Sequence, residues 1–209
     1  MSTKPGADPT AVASGPGLAP YWGGNGDGQY ILTVRGIGNG LFTWSRSKLI
    51  NDGNGKYDWF AYRRKGDAQP FDITGPNAFV ETLRIQNFPF DSVEPNLVNW
   101  NEWSPASNFT GDCGSPMNVG VSVLGASVGT TFQDCDRYSM WRNANKPSSY
   151  WLEMDQGYVL RHGNREAAYA LAWKQKQGTA ASQHDLQKLV FHYNGNAYTC
   201  KHTDAGDTC

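Results

Sequence analysis

At 209 residues the chain has the length of one domain, or of one domain with a tail, and only 18% of its residues are charged while 13% are aromatic. Its formal net charge of −1 comes from 18 basic and 19 acidic residues that form no long block of one sign, so the basic surface expected of a nucleic-acid-binding protein is missing. No apolar stretch approaches the roughly 18 residues of a transmembrane helix. We therefore predict neither a nucleic-acid partner nor a membrane span.

Residues 1–28 are rich in proline and glycine and show neither the two-residue period of a strand nor the 3.6-residue period of a helix. We predict a flexible tail over 1–28 and a folded domain over 29–209. The tail contains an apolar island made of Leu18, Pro20, Tyr21 and Trp22. Either the island folds back onto its own domain, or it docks as an extended peptide into another secreted protein. The first methionine leads directly into the polar, proline-rich start of the tail, and we therefore expect that it replaces an export signal.

From residue 29 onwards, short aromatic-rich segments alternate with clusters of Gly, Asn and Asp, which supply the positive φ angles of tight turns. The first strands are predicted over residues 29–36, 40–47, 56–64 and 77–85. Alternation in the third of these places Tyr57, Trp59 and Ala61 on one face and Asp58, Phe60 and Tyr62 on the other. The basic cluster at residues 63–65 is interpreted as a solvated strand end.

Prolines interrupt residues 87–116 and exclude a central strand over most of that segment. We predict a long structured loop, and the domain would divide near 88–116 if it has two parts. Further strands follow up to a hairpin turn at Asn194-Gly195. Residues 164–176 are ambiguous, because their Ala, Glu, Leu and Lys favour a helix while Tyr169, Leu171 and Trp173 alternate as in a strand. The surrounding β pattern favours the strand.

The chain has four cysteines, Cys113, Cys135, Cys200 and Cys209, and no two of them have CxxC spacing. An even count without metal-type spacing favours disulfides over a thiolate metal site and indicates an oxidising compartment. Pairing of nearest neighbours gives Cys113 with Cys135 and Cys200 with Cys209, although four cysteines allow three connectivities. The expected fold is a secreted, mainly β domain, an antiparallel sandwich or barrel-like structure with a flexible N-terminal tail and two disulfides.

No catalytic set is complete in the sequence. Gly111–Pro116 resembles the GDSGGP nucleophile loop of trypsin-like proteases with Cys113 in place of serine, but that family needs a histidine upstream and here none precedes His162. A Cys-then-His order would suit a papain-like peptidase, yet the residues after Cys113 have a β pattern and not that of a helix start. A glycosidase would use carboxylates such as Glu102, Glu153 and Asp155. A secreted hydrolase, either glycosidase or cysteine peptidase, stays an alternative without assigned catalytic residues.

The four histidines, His162, His184, His192 and His202, have no metal-ligand spacing. We therefore predict neither a metal nor a cofactor.

Two binding functions are consistent with these features. In the first, the chain is a non-catalytic component of an extracellular complex, such as a toxin, adhesin or surface assembly, and its tail docks into a protein partner. In the second, it is a carbohydrate-binding module whose exposed aromatic residues hold a glycan, with candidates Trp100, Trp103, Trp141 and Trp151. Solvent-facing rings would favour the glycan, and buried rings with a protruding tail would favour the protein partner.

Overall fold

The structure is a computed structural model that describes residues 18–71, 78–112, 114–133, 136–155 and 163–209. The described part is mainly strand, with one short 3-10 turn at Glu94–Asn96, and contains no helix long and apolar enough to cross a bilayer. The strands in chain order are β1 (Tyr21–Val34), β2 (Gly38–Ile50), β3 (Tyr57–Pro70), β4 (Ala78–Pro89), β5 (Leu97–Ser104), β6 (Phe109–Thr110), β7 (Met117–Val123), β8 (Ala126–Phe132), β9 (Arg137–Arg142), β10 (Tyr150–Asp155), β11 (Arg165–Lys176), β12 (Gln183–Tyr193), β13 (Asn196–Thr203) and β14 (Gly206–Thr208).

Two antiparallel sheets face each other. A five-stranded sheet has the order β1-β2-β3-β11-β5, and a seven-stranded sheet has the order β14-β13-β12-β4-β10-β9-β6. Because the sheets are separate and open, the sandwich expectation is confirmed and the barrel-like alternative is wrong. The hairpin predicted at Asn194-Gly195 joins β12 to β13, and both residues have positive φ angles, 49° and 81°, as two-residue turns between twisted strands require.

The space between the sheets is filled by an apolar core to which both sheets contribute. Fully buried members include Leu32, Phe42, Leu83, Ile85, Leu152, Tyr169, Leu171, Trp173, Leu189 and Phe191. The alternation predicted for β3 is confirmed, since Phe60 and Tyr62 lie in this core while Trp59 and Ala61 belong to a second cluster on the other face. A strand covered on both faces has aromatic or apolar side chains on both.

The basic cluster at residues 63–65 is not a solvated strand end, because Arg64 is only 1% exposed. Its position in β3 places it on the inner face with Tyr62, whose hydroxyl accepts a hydrogen bond from Nη2 at 3.0 Å. Nη1 donates to the carbonyl of Gln86 at 2.8 Å and contacts the carboxylate of Asp185. A buried guanidinium needs such partners, and the local charge pattern could not reveal one that lies on β12.

A third layer covers the outer face of the five-stranded sheet. The strands β7 and β8 form a separate hairpin, and its Val121 and Val123 pack against Ala170 and Ala172 of β11. Alanine side chains are short, so the hairpin can approach the sheet closely. The chain reverses between β7 and β8 at Leu124–Gly125, where both φ angles are positive.

The ambiguous segment 164–176 forms β11, so the strand interpretation is confirmed and the helical one is wrong. Tyr169, Leu171 and Trp173 lie in the core between the sheets, while Ala170 and Ala172 lie under the hairpin. Burial of both faces outweighs the helix propensity of alanine, because tertiary packing routinely overrides intrinsic preferences.

The strand β1 begins at Tyr21, so the folded domain begins inside the segment predicted as a tail. The glycines there permit close packing: a Cβ on Gly28 would lie 2.6 Å from Nε1 of Trp44. A β-bulge lies between Gly24 and Gly26, and Gly26 has a φ of 140°, which glycine adopts without strain. Residues 1–17 of the predicted tail lie outside the described residues.

The segment 87–116, predicted as a long loop, contains β5 and β6. β5 lies at the edge of the five-stranded sheet, between Pro95 and Pro105, which fits the restriction of proline to strand ends and edges. Its pairing with β11 shifts register at Ala172/Trp173 and again at Lys174/Gln175. Because β6 belongs to the seven-stranded sheet, this segment links the two sheets.

One predicted disulfide is present in the described part of the chain. Cys200 and Cys209 are bonded, with their Cα atoms 4.1 Å apart, as the pairing of nearest neighbours predicted. Cys200 is fully buried on β13, so the bridge ties Cys209 to the sandwich. Cys113 and Cys135 lie outside the described residues, and their bridge stays a prediction.

Candidate functional site

The seven-stranded sheet presents one face to the core and leaves part of the other face open. Along β4 and β12, Leu83, Ile85 and Leu189 are fully buried. Arg84, Gln86 and Lys188 alternate with them, point the other way and are only half-buried. The strand register brings these outward side chains into two rows, and we name them together the open face: Arg84, Gln86, Trp141, Trp151, Lys188 and Lys201.

The first row of the open face carries three cations. Lys201 on β13 pairs with Lys188 on β12, and Lys188 pairs with Arg84 on β4. With strands about 4.8 Å apart, the three positions span about 10 Å. Arg84 binds Glu153 on β10, with 2.6 Å between Nε and Oε2. No carboxylate of the described residues forms an ion pair with either lysine, so the described carboxylates neutralise this row at one end only.

The second row carries two indoles. Trp151 on β10 pairs with Gln86 on one side and with Trp141 on the other. Trp141 is 40% exposed, and Phe88 supports it with ring centroids 6.2 Å apart. The guanidinium carbon of Arg84 lies 4.9 Å from the centroid of the Trp151 ring, within the range of a cation–π contact. Both indoles are therefore held in place beside polar and charged groups.

A groove of about 300 Å³ lies on the β13 side of the open face. Its lining includes Arg84, Gln86, Leu186, Lys188, Lys201 and Thr203. Amide, hydroxyl, ammonium and guanidinium groups converge there, and all of them can donate hydrogen bonds. The groove can therefore hold a ligand rich in acceptor oxygens.

Sequence reasoning missed the basic residues and Gln86 of the open face. Arg84 and Gln86 lie on β4, far in sequence from the lysines, and only the register of β4 with β12 brings them together. Lys188 and Lys201 face each other across the hairpin at Asn194-Gly195. The available signal was alternation, since Arg84 and Gln86 flank Ile85 and Lys188 precedes Leu189. That pattern identifies outward side chains and leaves their neighbours on other strands unknown.

A larger depression, of about 480 Å³, lies over the hairpin β7–β8. Its lining consists of short side chains and glycines, such as Asn118, Gly120 and Ser127, together with Glu102. The Glu102 carboxylate already accepts a hydrogen bond from the backbone N–H of Ser122. Its lining has no aromatic ring and a single charged side chain, so we place the candidate site on the open face despite its smaller groove.

Trp100 and Trp103, two of the four predicted sugar-binding residues, belong to the five-stranded sheet and are not part of the open face. They are on β5, half-buried against the sandwich core. Trp100 Nε1 donates to the carbonyl of Asn143 at 2.8 Å, and the Arg142 guanidinium carbon lies 3.9 Å from the centroid of the Trp103 ring. Of the four predicted residues, only Trp141 is exposed, and Trp151 is its neighbour on the open face.

The apolar island of the predicted tail divides into two parts. Leu18 is 51% exposed and Pro20 is half-buried, both ahead of β1. Tyr21 and Trp22 belong to β1, and Trp22 Nε1 donates to the carbonyl of Ala126 at 2.9 Å. This placement agrees with the interpretation in which the island folds onto its own domain.

Glu102 and Glu153, two of the carboxylates considered for glycoside hydrolysis, do not share a cleft. Glu102 lies on the five-stranded sheet and Glu153 on the seven-stranded sheet, while the side chain of Asp155 lies outside the description. Among the histidines, His202 contacts Asp207 at 2.6 Å and His184 contacts Asp204. Within the described residues, no three His, Cys, Asp or Glu side chains are grouped closely enough to hold a metal ion.

A pair of carboxyl groups occurs where β3 meets β11. Asp67 and Glu166 are directly opposite in register. Burial raises the pKa of the Asp67 carboxyl, and the neighbouring Glu166 raises it further, partly offset by Lys65. The Lys65 ammonium lies 2.9 Å from Glu166, so Glu166 is the ion-paired member of the two. Because the folded state binds the Asp67 proton more tightly than the unfolded state, the contribution of this group to stability is lost as the pH rises through the folded pKa.

Replacing Asp67 with asparagine is expected to stabilise the protein at neutral pH by about 0.5 kcal/mol, since it removes one of two like charges in direct opposition. The gain should shrink as the pH falls towards the ordinary value of 3.8, where the native carboxyl is itself neutral. Urea unfolding at several pH values measures this, with Asp27→Asn on the exposed part of β1 as the matched control. A loss of stability at neutral pH would contradict the prediction.

No protein-family model matches the chain, and a search of curated proteins finds no similar sequence.

Proposed function

We propose that this protein is a secreted, non-catalytic binding module that holds a carbohydrate on the open face. The observation that carries the proposal is the cross-strand pair Trp151 and Trp141, with Trp141 40% exposed, next to the donor-lined groove. The Cys200–Cys209 disulfide supports the secreted part of the proposal, because such bonds persist in oxidising compartments.

The chemistry of the open face matches that of a sugar. A pyranose ring has an apolar face of C–H groups and a rim of hydroxyl oxygens. An indole face accepts the C–H groups, while side chains such as Gln86 and Lys188 can donate hydrogen bonds to the rim. Because these side chains extend from paired strands, their backbone is already ordered and binding requires no further ordering of it.

The open face is less suited to a large protein interface. The centre of a stable protein interface is apolar and depleted in charge, whereas here a row of cations crosses the sheet. Of the open-face side chains, only Trp141 is a large exposed hydrophobic one. The large exposed hydrophobic side chains of the described chain are scattered over different elements, namely Leu18, Ile31, Leu41, Phe71, Val98, Leu124, Trp141 and Tyr198. The described surface therefore supports a glycan over the docking of a protein partner.

The non-catalytic part of the proposal rests on the carboxylates. Glycoside hydrolysis requires two carboxyl groups on either side of the scissile bond. In the described part of the cation row, the single carboxylate is Glu153, and it is bound to Arg84. The described residues place no second carboxylate opposite Glu153 in this row, which favours binding without cleavage.

Replacing Trp141 with alanine should weaken binding to a polysaccharide by about two- to twelvefold, the scale of one aromatic stacking contact of about 0.5–1.5 kcal/mol. Retardation of the native protein in gels that contain neutral or acidic polysaccharides measures the affinity. Tyr198→Ala is the matched control, because Tyr198 is 38% exposed and pairs with the inward-facing Phe191 on the other side of the sheet. The proposal fails if no polysaccharide retards the native protein, or if both variants lose affinity equally.

A further inference from the structure

Two lysines stand directly opposite each other on the open face. Lys188 and Lys201 are register partners on β12 and β13, and like charges in this position are destabilising. Of the other described lysines, Lys48, Lys65 and Lys146 each have a carboxylate within 2.9 Å, whereas Lys56, Lys174 and Lys176 have no described ion pair and no lysine directly opposite. The two lysines of the open face form no ion pair with any described carboxylate, so they create a local excess of positive charge on a chain whose net charge is −1.

The positive charge adjoins the groove and the indoles. Lys188, Lys201 and Arg84 all line the groove of about 300 Å³. The row of these three cations lies two residues along the strands from the row of Trp151 and Trp141. Outward residues along a strand are separated by about 7 Å. A chain of linked sugars can therefore rest on the indoles while an anionic group enters the groove.

We infer that the ligand of the open face is an acidic polysaccharide whose carboxylate or sulfate groups bind Lys188 and Lys201. This inference rests on the proposed carbohydrate-binding function and names the class of its ligand. The anion would separate and neutralise two like charges that now oppose each other. Since both lysines are at least partly exposed, this contribution should be screened by salt, whose Debye length is about 10 Å at 0.1 M.

The open-face variant carries both Lys188→Gln and Lys201→Gln. The control variant has the same charge change, Lys56→Gln together with Lys176→Gln, at two exposed positions away from the open face. Binding is measured to polygalacturonate, dextran sulfate and neutral dextran, at low and at high salt. We expect the open-face variant to lose at least about tenfold in affinity for an acidic polymer at low salt, which corresponds to about one charge-assisted contact. The control should stay within about twofold of the native protein.

The polymers distinguish the source of the anion, because polygalacturonate carries carboxylates and dextran sulfate carries sulfates. The inference is overturned if neutral dextran binds as tightly as both acidic polymers, or if the control variant loses as much affinity as the open-face variant. Duplex DNA is measured as a further polyanion, and binding to it as tight as to the polysaccharides would also overturn the inference. If Trp141→Ala weakens binding to dextran while the lysine variant does not change binding to any polymer, the proposed function stands and this inference falls. If no polysaccharide binds, both fall.

Discussion

Replacing Arg64 with alanine is expected to lower the free energy of unfolding by about 3–5 kcal/mol, the cost of breaking a buried charge pair. The side chain is 1% exposed, donates to the Gln86 carbonyl and the Tyr62 hydroxyl, and pairs with Asp185. Its removal leaves the Asp185 carboxylate without its cation and creates a cavity in the core. Equilibrium unfolding in urea measures the loss.

Arg63 provides the matched control, because it precedes Arg64 but points to the other face of β3. It is half-buried and donates to Ser45 Oγ and to the Gly129 carbonyl, so Arg63→Ala should cost only about 1 kcal/mol. The double variant Arg64→Met with Asp185→Asn removes both charges and should recover part of the Arg64→Ala loss. Equal effects of Arg64→Ala and Arg63→Ala would show that the buried guanidinium does not carry the predicted stability.

Replacing Gly38 with alanine is expected to destabilise the protein by about 1–3 kcal/mol through overpacking. A Cβ at this position, the first residue of β2, would lie 2.5 Å from Cε1 and Cζ of Phe191 and 2.6 Å from the carbonyl oxygen of Gln69. Phe191 is fully buried in the core, and the carbonyl belongs to the backbone of β3. Neither neighbour can move aside without disturbing packed structure.

The control for this prediction is Gly24→Ala on β1, where a Cβ would meet no atom within 4 Å. This change should leave stability unaltered or raise it slightly, because alanine restricts the unfolded chain more than glycine does. Thermal unfolding of both variants distinguishes the two sites. A Gly38→Ala variant as stable as Gly24→Ala would mean that the contact with Phe191 is looser than the structure shows.

The strand content and the faces of single strands could be predicted from the sequence, because a period of two is a local property. This is why the two faces of β3 and the hairpin at Asn194-Gly195 were predicted correctly. The pattern over 164–176 also favoured a strand, although its alanines prefer a helix. What decided that segment was burial under the hairpin β7–β8, which no local pattern shows.

The burial of Arg64 and the open face could not be predicted, for the same physical reason. Arg64 is stabilised inside the core by Asp185, which is far away in sequence and adjacent in the fold. Likewise, Lys188 and Arg84 are neighbours only because β12 pairs with β4 in one particular register. Composition left open whether the aromatic residues are core or surface, and it could not separate the half-buried Trp103 from the exposed Trp141.

The sheet edges have a consequence for association between copies of the chain. A regular edge strand exposes unpaired N–H and C=O groups that can pair with a second molecule and seed fibres. Here β1 is interrupted by the bulge at Gly24/Gly26 and β5 by two register shifts, while β6 is two residues long and β14 three. The glycines and prolines that give the sequence a loop-like appearance thus protect the folded protein against edge-to-edge aggregation.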